Sequence, residues 1–204
     1  MSSEVDICNL ALSYLGDTAN ISSLDEGSVQ AELCRRFYPM ARDMLLEKHP
    51  WSFAVTREPL ALLAERVGGW RYAYSAPNKM LQALAILRDG WWGGRDTSSD
   101  IPFLIESTIT GGRIICTNQQ HAILRYIWAV DDPVRFPPLF TIALAWLLAS
   151  KLAGPIYKGS EGIRVGQSCL AVFAQSYSEA MKGDANQGLM PVLHMPPWME
   201  ARRG

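Results

Sequence analysis

The chain has 204 residues, of which 49% are hydrophobic and 19% are charged. These proportions exclude an intrinsically disordered chain and indicate one generous domain, or one domain with an insertion. The formal net charge is −1, which gives no reason to expect tight DNA binding, because affinity for phosphates comes from many clustered Lys and Arg residues. No basic segment followed by an apolar run forms a targeting signal, so we expect synthesis and assembly in the cytoplasm.

Capping signals mark the first two helices. Ser3 precedes acidic residues in the pattern of an N-cap, and the apolar spacing predicts a helix over residues 4–15. Gly16 supplies the left-handed residue that ends such a helix. A short bridge leads to a second helix, which Asp25 or Ser28 could cap. We expect the two helices to form an antiparallel hairpin that needs further helices to bury its apolar faces.

The second helix is predicted to end at an abrupt Pro-Trp corner. Its apolar stripe runs to about Lys48, because Pro50 disfavours helical dihedrals in the residue before it. Pro39 removes one backbone hydrogen bond, so we expect a kink. We interpret the large rings of Trp51 and Phe53 as core anchors. A solvent-facing side is expected to carry Arg35, Arg36, Arg42, Asp43, Glu47 and Lys48.

A change of character after the corner predicts an inserted β-module. Residues 59–66 are predicted to form a short helix, and residues 70–75 an irregular or edge segment. A small antiparallel sheet is then predicted within residues 79–133, with Gly111-Gly112 as a hairpin turn. Its predicted strands are residues 80–87, 103–109, 114–117 and 121–130.

Two more helices are predicted after the module. A Pro-Pro pair begins the third helix, which is apolar nearly all round over residues 139–152 and should therefore be the central buried helix. This apolar stretch is too short for a membrane span of about 20 residues. Gly154 and Pro155 are predicted to end it. The fourth helix is predicted over residues 160–183.

These elements predict an α+β, mainly helical fold. It is an antiparallel bundle of about four helices, with a small antiparallel β-sheet module inserted between the second and third major helices. Residues 1–78 and 134–183 are assigned to the bundle, residues 79–133 to the module, and residues 184–204 to an extended C-terminal tail. The apolar side chains of the tail favour a partner surface that covers it, and packing on its own bundle is the alternative.

The sequence contains no motif of catalysis or cofactor binding. A Walker loop, GxSxG, HExxH and a dinucleotide fingerprint are absent, and we predict no catalytic residue, cofactor or metal site. A dyad of Cys34 with His49 is disfavoured, because buried cysteines on helices are usually inert. We expect free, buried thiols in a reducing compartment at Cys8, Cys34, Cys116 and Cys169.

Loop residues leave two alternatives open. Asp96, Asp100 or Asp131 could serve a small cell-wall hydrolase, although Asp is common in loops because it bonds to its own backbone. The paired Trp91 and Trp92, flanked by glycines, could make a carbohydrate-binding or other ligand-binding module. We favour a subunit contact or core position for this pair, because Trp is enriched in interface cores.

The first part of the chain carries a series of short motifs in a fixed order. They are Cys8-Asn9-Leu10-Ala11-Leu12, Leu15-Gly16, Ile21-Ser22-Ser23-Leu24, Tyr38-Pro39-Met40-Ala41-Arg42, His49-Pro50-Trp51-Ser52-Phe53-Ala54, and Trp70-Arg71-Tyr72-Ala73-Tyr74 before Pro77. In this order and spacing they resemble the tail tubular protein A family, the head-to-tail adaptors of short-tailed bacteriophages. The resemblance is tight over residues 4–77 and loosely topological from there to about residue 183.

The resemblance implies a structural virion protein and not an enzyme. Such adaptors assemble as a ring of twelve subunits beneath the portal protein, extend the DNA channel and offer an attachment surface to a distal tail tube or nozzle protein. Double-stranded DNA would pass through the channel without specific binding, and no membrane would be involved. The expected location is the head–tail junction of the virion.

Three surfaces are predicted on this basis, and the two ends of the molecule could be reversed. Trp91 and Trp92 are predicted to face the tail. A subunit interface is predicted at Arg35, Arg36, Arg42, Asp43 and Glu47. A portal-binding surface is predicted at Leu189, Met190, Leu193, Pro196, Pro197, Trp198, Met199, Arg202 and Arg203.

Overall fold

The computed structural model describes residues 3–18, 20–64, 68–88, 101–108 and 111–187. It is 48% helix and 21% strand, which confirms the predicted α+β, mainly helical fold. Several predicted site residues lie outside the described residues. They are Trp91, Trp92, Asp96, Asp100, Leu189, Met190, Leu193, Pro196, Pro197, Trp198, Met199, Arg202 and Arg203.

Four α-helices make up the bundle in the described part of the chain. They are α1 (Glu4–Tyr14), α2 (Val29–Glu47), α3 (Pro138–Tyr157) and α4 (Gly159–Ala185). The third helix packs against the other three and is buried over most of its length. The prediction of a central, buried third helix is therefore confirmed.

By length and composition alone, α3 could cross a membrane, since it is a 20-residue apolar helix. The expectation that its apolar stretch is too short is therefore wrong. A core helix meets the same criteria, and 56% of the most apolar window of α3 is buried inside the fold.

The predicted caps of the first two helices are confirmed. The Ser3 hydroxyl accepts a bond from the Asp6 amide, and the Asp6 carboxylate accepts one from the Ser3 amide, which makes a reciprocal capping box. Gly16 follows α1 with a φ of +77°, which favours glycine. Ser28, and not Asp25, caps α2, which then runs unbroken through Pro39.

The most closely packed helix pair is α3 with α4, whereas α1 and α2 contact α3 more than each other. A Cβ added at Gly162 would lie 3.0 Å from the Ala153 carbonyl oxygen and the Gly154 Cα, and one at Gly166 would lie 3.2 Å from the Ser150 carbonyl oxygen. These contacts make a small-residue seam, which we define as Ala153 and Gly154 of α3 against Gly162 and Gly166 of α4. The two helices run antiparallel along it.

The predicted end of α3 is wrong, whereas α4 ends within two residues of its predicted end. α3 continues through Gly154 and Pro155 to Tyr157, whose hydroxyl donates to the Leu15 carbonyl at the end of α1. The seam and this hydrogen bond hold the last turn despite the bond that proline removes. α4 continues past Gly183 to Ala185, so the segment from residue 184 does not begin as an extended tail.

Seven strands form two antiparallel sheets within the described residues. The first has the order β1-β7-β4, and the second has the order β2-β3-β6-β5. The strands are β1 (Val55–Pro59), β2 (Ala61–Leu62), β3 (Tyr72–Ser75), β4 (Met80–Leu87), β5 (Phe103–Ser107), β6 (Arg113–Thr117) and β7 (Ile123–Trp128).

The four strands predicted after residue 79 are confirmed as β4 to β7, but the module is larger than predicted. It begins at Val55 and contains two sheets instead of one. The short helix predicted at residues 59–66 is wrong, because β1 ends and β2 lies there. Residues 70–75 contain β3, which is an interior strand between β2 and β6.

Strand β7 joins the module to the bundle. On one face, Ile127 belongs to the core that the helices share. On the other face, Leu124 and Tyr126 belong to the core of the module. Because neighbouring side chains alternate between the faces of a strand, this one strand takes part in both cores.

Candidate interaction site at the end of the fourth helix

The Pro-Trp corner between α2 and β1 is built around a buried tryptophan. Trp51 is fully buried, and its indole N–H donates to the Leu45 carbonyl at 2.9 Å. Its ring meets the Phe140 ring of α3 edge-to-face, with centroids 5.1 Å apart. Phe53 also packs on Phe140, with centroids 5.0 Å apart. The interpretation of both rings as core anchors is therefore confirmed.

The last turn of α4 is bound to this corner by polar contacts. The Asp184 carboxylate accepts from the Ser52 amide at 3.0 Å and from the Ser52 hydroxyl at 2.6 Å. His49 Nε2 lies 3.4 Å from the same carboxylate. Two turns earlier in α4, the Tyr177 hydroxyl donates to the Lys48 carbonyl at 2.9 Å. The corner thus fixes the point where the chain leaves α4.

The sequence interpretation missed Asp184, although one physical signal was available. A carboxylate in the last turn of a helix is unfavourable, because the C-terminal end of the helix dipole is negative. Such a residue needs donors from elsewhere in the fold. Here Ser52 and His49 supply them across more than a hundred residues of chain, so no local spacing could identify the pair.

The polar contacts at this corner hold the end of α4 in place and are not arranged as a nucleophile with its base. Asp184 lies between Ser52 and His49, so the Ser52 hydroxyl donates to a carboxylate and not to an imidazole. A serine nucleophile needs the base next to its hydroxyl. Cys34 faces another partner, the Cys8 thiol, and this hydrogen bond together with burial raises the pKa of Cys8. The structure therefore does not place Cys34 and His49 as a dyad.

The predicted loop carboxylate Asp131 also has a structural environment. It accepts from Lys79 Nζ at 2.6 Å and lies 3.1 Å from Arg42 Nη1. The hydrogen bond from Lys79 and the charge of Arg42 hold the pKa of Asp131 below its ordinary value. A general acid of a glycosidase needs the opposite shift, a raised pKa. Asp131 therefore links the module to α2 through its ion pair with Arg42.

The predicted subunit-interface residues of α2 differ in their exposure to solvent. Arg35, Arg36 and Glu47 are exposed. Arg42 is only 9% exposed, so its placement on the solvent-facing side is wrong. Its Nε donates to Asp43 at 2.8 Å, and its Nη1 pairs with Asp131. Burial disfavours its charge, but these carboxylates outweigh that effect and raise the pKa of Arg42.

Two grooves flank the last turn of α4, and Asp184 and Gln187 line both of them. The smaller one, which we name the apolar groove, has a volume of about 200 Å³. The wider one, of about 700 Å³, places Arg57 and Arg125 opposite each other in the register of β1 and β7. The apolar groove is lined by Trp51, Pro137, Leu139, Phe140, Ala180 and Gly183 together with the two shared residues.

Comparison with models of protein families gives no match, and no curated protein matches the chain. Among the described residues, no group of three or more His, Cys, Asp and Glu is arranged to hold a metal ion. The contacts seen at this site are packing and hydrogen-bonding contacts between the corner and the last turn of α4. Its position at the start of the remaining chain makes it a candidate for protein interaction.

Proposed function

We propose that this chain is a head-to-tail adaptor subunit of a short-tailed bacteriophage, as its motifs suggest. In this proposal it assembles as a ring beneath the portal protein, extends the DNA channel and offers its other end to the next tail component. The C-terminal residues 189–203 contact the portal, and Trp91 and Trp92 face the tail. The chain has a structural role and carries out no reaction.

The observation that carries this proposal is that residues of several motifs make contacts that hold the fold together. Asn9 donates to the Ile21 carbonyl at 2.9 Å and accepts from the Ile21 amide at 2.8 Å. Arg42 of α2 forms an ion pair with Asp131 of the module, and the indole N–H of Trp51 donates to the Leu45 carbonyl at the corner. Asn9, Ile21, Arg42 and Trp51 belong to motifs of the family, and each makes a fold-specific contact. Motif residues therefore have structural roles in this fold, as the proposed structural function requires.

The exposed charges of α2 are suited to lateral contacts in a ring. Arg35 has only a loose partner, Asp25, at 3.6 Å with both side chains largely exposed. Such a pair contributes little to folding and is available for exchange with carboxylates of a neighbouring subunit. Arg36 and Glu47 are exposed on the same helix. In the proposed ring, Arg35, Arg36 and Glu47 form the lateral contact, whereas Arg42 and Asp43 serve the subunit itself.

Deletion of residues 189–204 tests the portal contact. The shortened chain should still melt cooperatively, because its four helices and two sheets keep their cores, but it should no longer co-sediment with the cognate portal ring. Circular dichroism melting provides the folding control. Equal portal binding by the intact and shortened chains would contradict the proposed role of the tail.

Charge reversal tests the lateral contact separately. The double variant Arg35→Glu/Arg36→Glu should bind the portal without closing a ring. Its two new carboxylates would repel the carboxylates of the neighbouring subunit. The matched control is Arg164→Glu, an exposed arginine of α4 that pairs only with Glu161 among the described residues. Complete rings formed by the double variant, seen by electron microscopy, would exclude this face from the contact.

A further inference from the structure

Core residues of the bundle line the apolar groove at the end of α4. Trp51 and Phe140 make its floor, and Pro137, Leu139, Ala180 and Gly183 make its walls. Its volume of about 200 Å³ exceeds the roughly 150 Å³ that accommodates a benzene ring in a protein interior. It can therefore take one long apolar side chain.

Exposed apolar surface continues from this groove along α3. Leu139 is 40% exposed and Ile142 is 38% exposed. These two residues are three positions apart, so they lie on the same side of the helix. The N-terminal end of α3 thus leaves apolar side chains open to solvent. Its apolar area favours burial by roughly 25 cal/mol per Å².

The chain itself supplies an occupant at the rim of the groove. Gln187 lines the groove and is followed by Gly188, Leu189 and Met190. Two or three residues span at most about 7–11 Å, so both large side chains are within range of the groove walls. Glycine at the first position after Gln187 allows the chain to reverse its direction. Pro191 follows directly.

We propose that the apolar groove and the adjoining exposed surface of Leu139 are the docking site for Leu189 and Met190 of the same chain, with one of the two side chains in the groove. A second copy would have to pay the entropy of association, whereas the covalent link gives these residues an effective concentration in the millimolar range. In the isolated chain, the docked pair covers Leu139. This inference concerns the isolated chain and does not depend on the proposed function.

Disulfide trapping in the full-length chain tests this contact. The four natural cysteines are buried, so a pair introduced as Leu139→Cys with Met190→Cys reacts selectively under mild oxidation. A disulfide requires Cα atoms within about 7 Å of each other. We expect an intrachain disulfide in the monomer, detected by mass spectrometry after proteolysis. The pair Leu139→Cys with Leu189→Cys provides a second position in case one variant folds poorly.

The matched control combines Met190→Cys with Ile163→Cys. Ile163 is 64% exposed on α4 and lies about 30 Å along the helix from the groove, at 1.5 Å per residue. We expect the groove pairs to cross-link at least tenfold faster than this control. Equal rates, disulfides mainly between two chains, or no disulfide in either groove pair would each overturn the proposal. None of these outcomes involves the portal, so they are independent of the adaptor function.

Discussion

Both halves of α4 pack on the apolar core, and each adds a contact of a different kind. In the first half, Gly162 and Gly166 bring its backbone against α3 with no side chain between them. In the second half, Asp184 accepts hydrogen bonds from Ser52 and faces His49. The close packing at the two glycines is sensitive to any added atom, because interiors are densely packed. The hydrogen bonds of Asp184 are less sensitive, because water can replace part of them. The first half therefore fixes the bundle, and the second half fixes where the chain leaves it.

Breaking the seam should have the largest effect. Gly162→Leu places a side chain where a Cβ would already lie 3.0 Å from backbone atoms of α3. Overpacking of this kind should lower the free energy of unfolding by about 3 kcal/mol, as measured by denaturant titration.

The matched control for the seam is Gly154→Ala. A Cβ at Gly154 would meet no atom within 4 Å, so the higher helix propensity of alanine should stabilise the protein by up to about 1 kcal/mol. Equal losses for the two substitutions would show that the seam is not a contact dictated by shape.

Removing the polar contact should have a smaller effect. Asp184→Ala removes the acceptor of Ser52 and should cost about 1.5 kcal/mol, because water replaces part of the lost hydrogen bonding. Glu179→Ala is the control on the same helix, since Glu179 is exposed and bonds to Gln175 at 3.3 Å, and it should change stability by less than about 0.5 kcal/mol. If Asp184→Ala lowered the free energy of unfolding as much as Gly162→Leu, the expected difference between the two halves would be contradicted.

The link between α2 and the module should have the smallest effect and should depend on pH. Asp131→Asn should cost about 1 kcal/mol at pH 7, because the carboxylate is partly exposed. The folded-state pKa of Asp131 lies below its ordinary value of 3.8. Its contribution is therefore present above pH 3.8 and is lost as the pH falls through the folded-state pKa.

Denaturant titrations at several pH values check this link. The difference in unfolding free energy between wild type and Asp131→Asn should shrink as the pH falls toward 3, because the Asp131 carboxylate takes up a proton in that range. Other acidic groups, such as Glu26 with its pKa lowered to about 2, are present in both proteins and cancel in the difference. A difference that stays constant from pH 7 to pH 3 would contradict the ion pair.

Local signals were sufficient to predict the bundle. Ser3 and Gly16 set the ends of α1 through their own backbone neighbours, and Pro50 ends α2 for the same reason. The apolar run of α3 identified the central helix. Gly154 and Pro155 misled the prediction, because the hydrogen bond from Tyr157 to Leu15 that holds the last turn of α3 spans 142 residues of sequence.

Contacts between distant residues explain what the sequence could not predict. β1 contains Arg57, Glu58 and Pro59, which are poor strand residues, and it exists because it pairs with β7 as an edge strand. Arg42 looked like a surface charge until its partner Asp131 was known. The contact of Asp184 with Ser52 has the same origin. The apolar groove combines Trp51 with side chains of α3 and of the end of α4, so no local sequence pattern identifies it.

The mass of the purified chain, measured alone and after mixing with its cognate portal ring, tests the adaptor proposal most directly. We expect a monomer by itself, because the adaptors that it resembles often assemble only on the portal. With the portal, we expect a complex whose added mass corresponds to a complete ring of chains. A chain that remains monomeric and leaves the mass of the portal unchanged would contradict the proposal.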